Sequence, residues 1–149
     1  MSQATPQSQG NPSINALVPM VRVADVERSA KFYELLGFQI GNYVPREASP
    51  MHWAWLYQPA APNWKTGANL MLVRGEKKSP AEKEAEDKSP FLVLYLYAAD
   101  LVGLRQHLIE SGVTVGAITY PEYLPKGEFK VHDPDDYTVM LAQSFEGSP

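Results

Sequence analysis

Cysteine is missing from all 149 residues. That excludes disulfides, thiol catalysis, thiolate metal sites and redox sensing, and it suits a reducing compartment. Clustered positive charge is missing as well. Lys and Arg are scattered and the formal net charge is −4, which leaves no electrostatic footprint for nucleic acid or an anionic membrane surface. The N-terminus lacks an apolar run: residues 1–13 are rich in Gln, Ser and Pro and read as neither a signal peptide nor a membrane span. They are expected to form a flexible tail on a cytoplasmic protein, with residues 146–149 equally loose. What is present is apolar mass. With 44% hydrophobic residues, the chain can bury a real core as one domain or as two small fused modules.

Hydrophobic periodicity divides the chain into a repeated series. Residues 16–23 alternate, with Leu17, Pro19, Val21 and Val23 on one side and Val18, Met20 and Arg22 on the other, as in a strand buried mainly on one face. Asp25 is placed to cap a helix whose apolar positions include Val26, Ala30, Phe32, Tyr33, Leu35 and Leu36, and Gly37 ends it. Strands are expected over 38–44, 52–57 and 68–73. The series then restarts with a strand over 91–97, a cap at Asp100, a helix through Leu101, Leu104, Leu108 and Ile109, and a stop at Gly112. Strands over 113–118, 128–132 and 137–143 complete it. Ala24-Asp25 corresponds to Ala99-Asp100 and Gly37 to Gly112, both at a spacing of 75 residues. The organisation is therefore a tail over 1–13, a βαβββ module over 14–74, a charged linker over 75–90 and a second βαβββ module over 91–145. The linker is rich in Lys and Glu, is bracketed by Ser-Pro pairs, and favours one short exposed helix over 81–87.

Four stretches carry a family resemblance. Residues 20–38, MVRVADVERSAKFYELLGF, resemble the opening strand and helix of glyoxalase/bleomycin-resistance (vicinal oxygen chelate) proteins. Residues 129–141, FKVHDPDDYTVML, resemble their closing hairpin, and WAWL at 53–56 and ANLML at 68–72 fall in order between them. The resemblance spans nearly all of 16–143. It implies an α+β fold in which two tandem modules form a curved mixed sheet, with the helices on the outer face and the ligand held on the concave one. It also implies a homodimer, with modules exchanged between chains in some members. One departure is local. Asp136 stands where the family's hairpin carries glycine, and Asp tolerates a left-handed turn better than most residues.

Metal-dependent members place a His or Gln on each module's first strand and a Glu on each module's last. Transferred position by position, these fall on Val18, Met71, Val93 and Met140. Valine has no donor atom, and a thioether is a poor partner for zinc, nickel, iron or manganese. No cofactor is expected. His52, His107 and His132 show no ligand spacing, and His107 falls on the solvent side of the second helix. His132 shares strand parity with Glu128 and Lys130, so it is placed to face the cavity as a proton donor or acceptor.

Strand parity sorts the cavity lining. Leu92, Leu94 and Leu96 should pack under a helix, leaving Val93, Tyr95 and Tyr97 toward the ligand. Met20 and Arg22 face inward from the first strand, and Thr138, Met140 and Ala142 from the last. Trp53, Trp55 and Tyr57 share one face of the third. The candidate ligand-binding residues are Arg22, Trp53, Trp55, Met71, Tyr95, Tyr97, His132 and Met140. Such a lining suits a flat or extended organic molecule. Arg22 could clamp a carboxylate or phosphate, form an internal salt bridge, or stand at the strand end as a surface residue. The aromatics equally fit a core or a dimer interface. Three functions remain open. The leading one is metal-independent sequestration of an aromatic or peptide-like small molecule. A glyoxalase- or dioxygenase-like metalloenzyme would need an atypical site, and an interaction module would have a collapsed cavity.

Overall fold

The computed structural model describes residues 16–63, 66–75 and 92–144. The expected tail over 1–13, most of the linker with its short helix, and residues 146–149 lie outside the described residues. The element order is β1 (Met20–Val23), α1 (Val26–Glu34), β2 (Gln39–Val44), β3 (Trp53–Tyr57), β4 (Asn69–Arg74), β5 (Val93–Ala98), α2 (Leu101–Glu110), β6 (Glu128–His132) and β7 (Thr138–Gln143). This is the α+β class, in two mixed sheets. The first has the order β1-β4-β3-β2 and the second β5-β7-β6. In both, the first strand of the unit runs parallel to its last. No helix among the described residues is long and apolar enough to cross a membrane.

Both helices start as their capping residues dictate. The Asp25 side chain accepts the Arg28 N–H at 3.0 Å and the Asp100 side chain accepts the Gly103 N–H at 3.0 Å, satisfying donors that have no partner within the helix. Both end before a glycine in the left-handed region, Gly37 at φ 93° and Gly112 at φ 87°, where a Cβ would be strained. Helix α1 buries Val26, Ala30 and Tyr33 against Val21, Val23, Ala54, Leu56, Leu70 and Leu72, which all point to one face of the first sheet. Leu101 and Leu108 of α2 bury against Leu94, Val139 and Leu141. Ile109, expected on the apolar side of α2, is exposed.

The expected strand over 113–118 does not form. The segment contacts β6 only through a Gly116 N–H to Lys130 carbonyl bond of 3.0 Å and a single bridge between Thr119 and Glu128. Val113 and Val115 pack on the core at odd positions, whereas Ile118 packs there at an even one. The chain must therefore change phase between 115 and 118, and a period-2 ladder cannot survive that change.

A turn between β6 and β7 ties the second unit to α1. Asp135 accepts the Ala24 N–H at 2.9 Å and the Ser29 hydroxyl at 3.2 Å, and pairs with Arg28 at 3.6 Å. Asp133 is buried and accepts the Tyr33 hydroxyl at 2.8 Å and the backbone N–H groups of Asp135 and Tyr137, each at 2.9 Å. The Tyr137 hydroxyl donates to the Arg22 carbonyl at 2.9 Å. Burial pushes the Asp133 carboxyl above its ordinary range, although these hydrogen bonds pull the other way. Burial and the Asp133 charge hold the Tyr33 phenol strongly protonated. Asp136 occupies the left-handed region at φ 68°, as its place in the turn requires.

Candidate functional site

The face of each sheet turned away from its helix carries the candidate residues. On the first sheet, cross-strand register aligns Met20, Met71 and Trp55 in one row, and Arg22, Val73 and Trp53 in the next. The Trp55 ring stacks on Tyr57 with centroids 5.4 Å apart and planes inclined by 24°. The Trp55 indole N–H donates to the Asn69 side-chain oxygen at 2.6 Å. Gly41 lies at an irregularity in the β2–β3 register, and a Cβ there would meet the Trp55 ring at 2.6 Å. The absence of a side chain at position 41 is what lets the indole lie across β2.

On the second sheet the rows are Val93, Thr138 and His132, then Tyr95, Met140 and Lys130, then Tyr97, Ala142 and Glu128. Tyr95 and Tyr97 pack with centroids 5.9 Å apart and remain partly exposed. The Tyr95 hydroxyl reaches across β7 and donates to Oε1 of Glu128 on β6. The Tyr123 hydroxyl donates to Oε2 at 3.3 Å. Ala142, expected to face the ligand, is fully buried instead, because Tyr97 and Glu128 flank it and the Tyr95–Glu128 bond spans its strand.

The eight candidate residues are thus brought together in two groups. Arg22, Trp53, Trp55 and Met71 share the first sheet, and Tyr95, Tyr97, His132 and Met140 share the second. A cavity of about 570 Å³ opens between the units at the free edge of β5, lined by Tyr95 and Tyr97 together with Leu36, Phe38, Gln58 and Ala68. A second, of about 490 Å³, lies beside Trp55 and Tyr57 among Gln58, Pro59 and Pro62. Neither is lined by Arg22, Trp53, Met71, His132 or Met140. Among the described residues Arg22 forms no salt bridge, and its aliphatic stem lies over Gly75. His132 is exposed, 3.7 Å from Asp136.

Sequence reasoning did not single out Gln58, Gly41 or Tyr123. Gln58 borders both cavities, and its amide donates to the Leu36 carbonyl at 2.9 Å. It lies just past the end of β3, and no periodicity marks such a position. Gly41 breaks the alternation of β2, a signal that was legible as a bulge or a close approach.

The family's ligand set does not fit a divalent ion here. Val18 and Val93 offer no donor and Met71 and Met140 only thioethers. Among the described residues no three His, Asp or Glu side chains are grouped to hold a metal.

Residues 13–141 match the model of the Glyoxalase/Bleomycin resistance protein/Dioxygenase superfamily. The chain belongs to that superfamily. No curated protein matches it in sequence. Among solved structures, it resembles a bleomycin resistance determinant encoded on transposon Tn5, with a TM-score of 0.61 and 19% identity, covering 88% of this chain and 98% of that one. It resembles a bleomycin-binding protein solved in complex with bleomycin, with a TM-score of 0.60 and 20% identity over 89% of this chain and 100% of that one. TnmS3, an antibiotic binding protein from Streptomyces sp. CB03234, gives a TM-score of 0.63 and 22% identity over 92% and 99%. At such identities the superfamily likeness is one of fold.

Proposed function

We propose that this superfamily member binds a flat aromatic or peptide-like small molecule without a metal ion and acts by sequestering it. The observation that carries the reading is the paired replacement of the ligand set, a valine and a methionine in each unit, beside aromatic rows on both sheet faces. Methionine adapts to irregular shapes and the aromatic rings supply rigid contact area. The open cavity beside Tyr95 and Tyr97 supports a ligand site over a collapsed interior. The antibiotic-binding solved relatives make such a role a natural one for this fold. The protein is proposed to work in the cytoplasm as a homodimer.

Tryptophan fluorescence and calorimetry against a panel of planar aromatics and short peptides test the reading. Saturable binding is expected, unchanged after exhaustive treatment with chelator. A stoichiometric divalent ion retained through dialysis and required for binding would overturn it.

A further inference from the structure

The two units do not treat the outer edges of their first strands alike. Parallel pairing with β4 turns the backbone groups of Val21 and Val23 inward and those of Met20, Arg22 and Ala24 outward, as the Gly75 N–H to Val23 carbonyl bond shows. The outward groups of β1 are taken by the opposite unit's turn. The Arg22 carbonyl accepts the Tyr137 hydroxyl and the Ala24 N–H donates to Asp135, each at 2.9 Å. On β5 the Ser144 N–H to Ala98 carbonyl bond sets the same phase, so the backbone groups of Tyr95 and Tyr97 and the Ala99 N–H point outward. At the 75-residue spacing of the repeat, Tyr97 stands for Arg22 and Ala99 for Ala24. Among the described residues no strand lies on that side of β5, and nothing accepts the Ala99 N–H.

Where the first unit receives a turn, the second has the cavity of about 570 Å³. It is walled by Leu36, Phe38 and Ala68 of the first unit and by Leu104 of the second. Its charge is one-sided: Asp100 lines it and no Lys, Arg or His does. The groups that steady the Asp135 carboxylate on the first unit, Arg28 and Ser29, correspond to Gly103 and Leu104. A carboxylate seated here would therefore find no cation. A secondary amide supplies an acceptor for the Ala99 N–H and a donor for the Tyr97 carbonyl, and it carries no charge.

We infer that the outer edge of β5, with the cavity beside it, takes an extended, uncharged peptide segment as an added strand. Its amides pair with the backbone of Tyr95, Tyr97 and Ala99, and an apolar side chain enters between Phe38 and Leu104. In this mode main-chain bonds supply affinity, and the pocket for alternate side chains supplies selection. This rests on the binding function proposed above, and names its ligand's chemistry and the edge that holds it.

The test is calorimetry on the full chain with acetyl-Val-Thr-Leu-Thr-Val-amide, whose apolar side chains share one face when extended. Saturable binding is expected. Methylating its amide nitrogens one at a time should weaken binding about tenfold at alternate positions, the scale of one lost hydrogen bond, and leave it nearly unchanged between them, since only alternate N–H groups of an added strand point at β5. Ala99→Pro removes the outward N–H, and Ala68→Trp narrows the cavity; each should also cost about tenfold. Both positions are exposed, and a preserved thermal transition shows that a variant folds. Uniform loss at every methylated position, or affinity untouched by either substitution in a folded variant, would overturn the inference. So would affinity that rises as the protein is diluted, which would give the edge to a second copy of the chain. A planar aromatic that saturates where the peptide does not would overturn the inference and leave the binding reading intact, whereas failure of every probe to saturate would overturn both.

Discussion

Strands β3 and β6 occupy equivalent places in the two sheets, each antiparallel to the last strand of its unit. Trp53, Trp55 and Tyr57 on β3 stand where β6 carries Glu128, Lys130 and His132. The opposite exchange occurs on the first strands, where Met20 and Arg22 of β1 correspond to Tyr95 and Tyr97 of β5. One backbone plan therefore carries aromatic rings on its third strand in one half and on its first strand in the other. The consequence is chemical. The first face holds its indole with a neutral amide, Asn69, whereas the second holds a buried carboxylate with phenols. The helices diverge in the same way. Tyr33 on α1 corresponds in the repeat to Leu108 on α2, both fully buried, and only the tyrosine gives the opposite unit's turn a hydroxyl to hold. Two halves built alike thus place different polar groups at equivalent positions.

That comparison can be tested where the halves are most alike. Leu72 and Leu141 follow the equivalent methionines on the last strands, and both are essentially inaccessible. Leu72→Ala and Leu141→Ala should each cost about 2–5 kcal/mol through lost transfer energy and the cavity left behind. Both should lower a single calorimetric transition, because the two sheets contribute to one core cluster. Two separate transitions would show that the halves fold independently.

The difference between the helices predicts a smaller effect. Tyr33→Leu copies the α2 residue onto α1 and leaves the buried Asp133 without its side-chain donor, at a cost of about 1–3 kcal/mol measured by chemical denaturation. A neutral outcome would mean that the turn does not need this bond.

The same turn carries a pH dependence. The folded-state pKa of Asp133 is raised by burial, so the folded protein holds this proton in a range where the unfolded chain has lost it. The contribution is fully present below the ordinary carboxylate pKa and is lost as pH rises through the raised value. Denaturation midpoints of the unaltered protein and Asp133→Asn should therefore diverge across that range, with the variant flatter. Parallel curves would assign the dependence to other groups. Smallest and most symmetrical are the caps: Asp25→Ala and Asp100→Ala should each cost about 1 kcal/mol, since both accept the same helix-start bond at 3.0 Å.

Much of this was legible before any coordinates. The two caps and the two glycine stops follow from residue type and spacing, because they are local features of neighbours in the chain. Alternation assigned Val21, Val23, Leu94 and Leu141 to buried faces for the same local reason. The segment over 113–118 misled because valine and isoleucine favour strands individually, while the parity change at Ile118 matters only once the core is in place. The candidate residues were divided between the two modules by their place in the chain, but the modules were expected to share one curved sheet and instead carry two. Parity specifies a side of a strand and says nothing about which sheet the strand joins.

What the sequence by itself determined is the order of the two helices and of the seven strands that form, and the residue types at Val18, Met71, Val93 and Met140, none of which carries a carboxylate or an imidazole. Each is a property of residue type at a position. Only the tertiary structure decided that Tyr95 on β5 and Tyr123 in a loop converge on Glu128, and that Asp133 seeks its partner 100 residues back at Tyr33. These are contacts across strands and between units. They arise when burial forces polar groups to find partners in space, and no period along the chain records where those partners are.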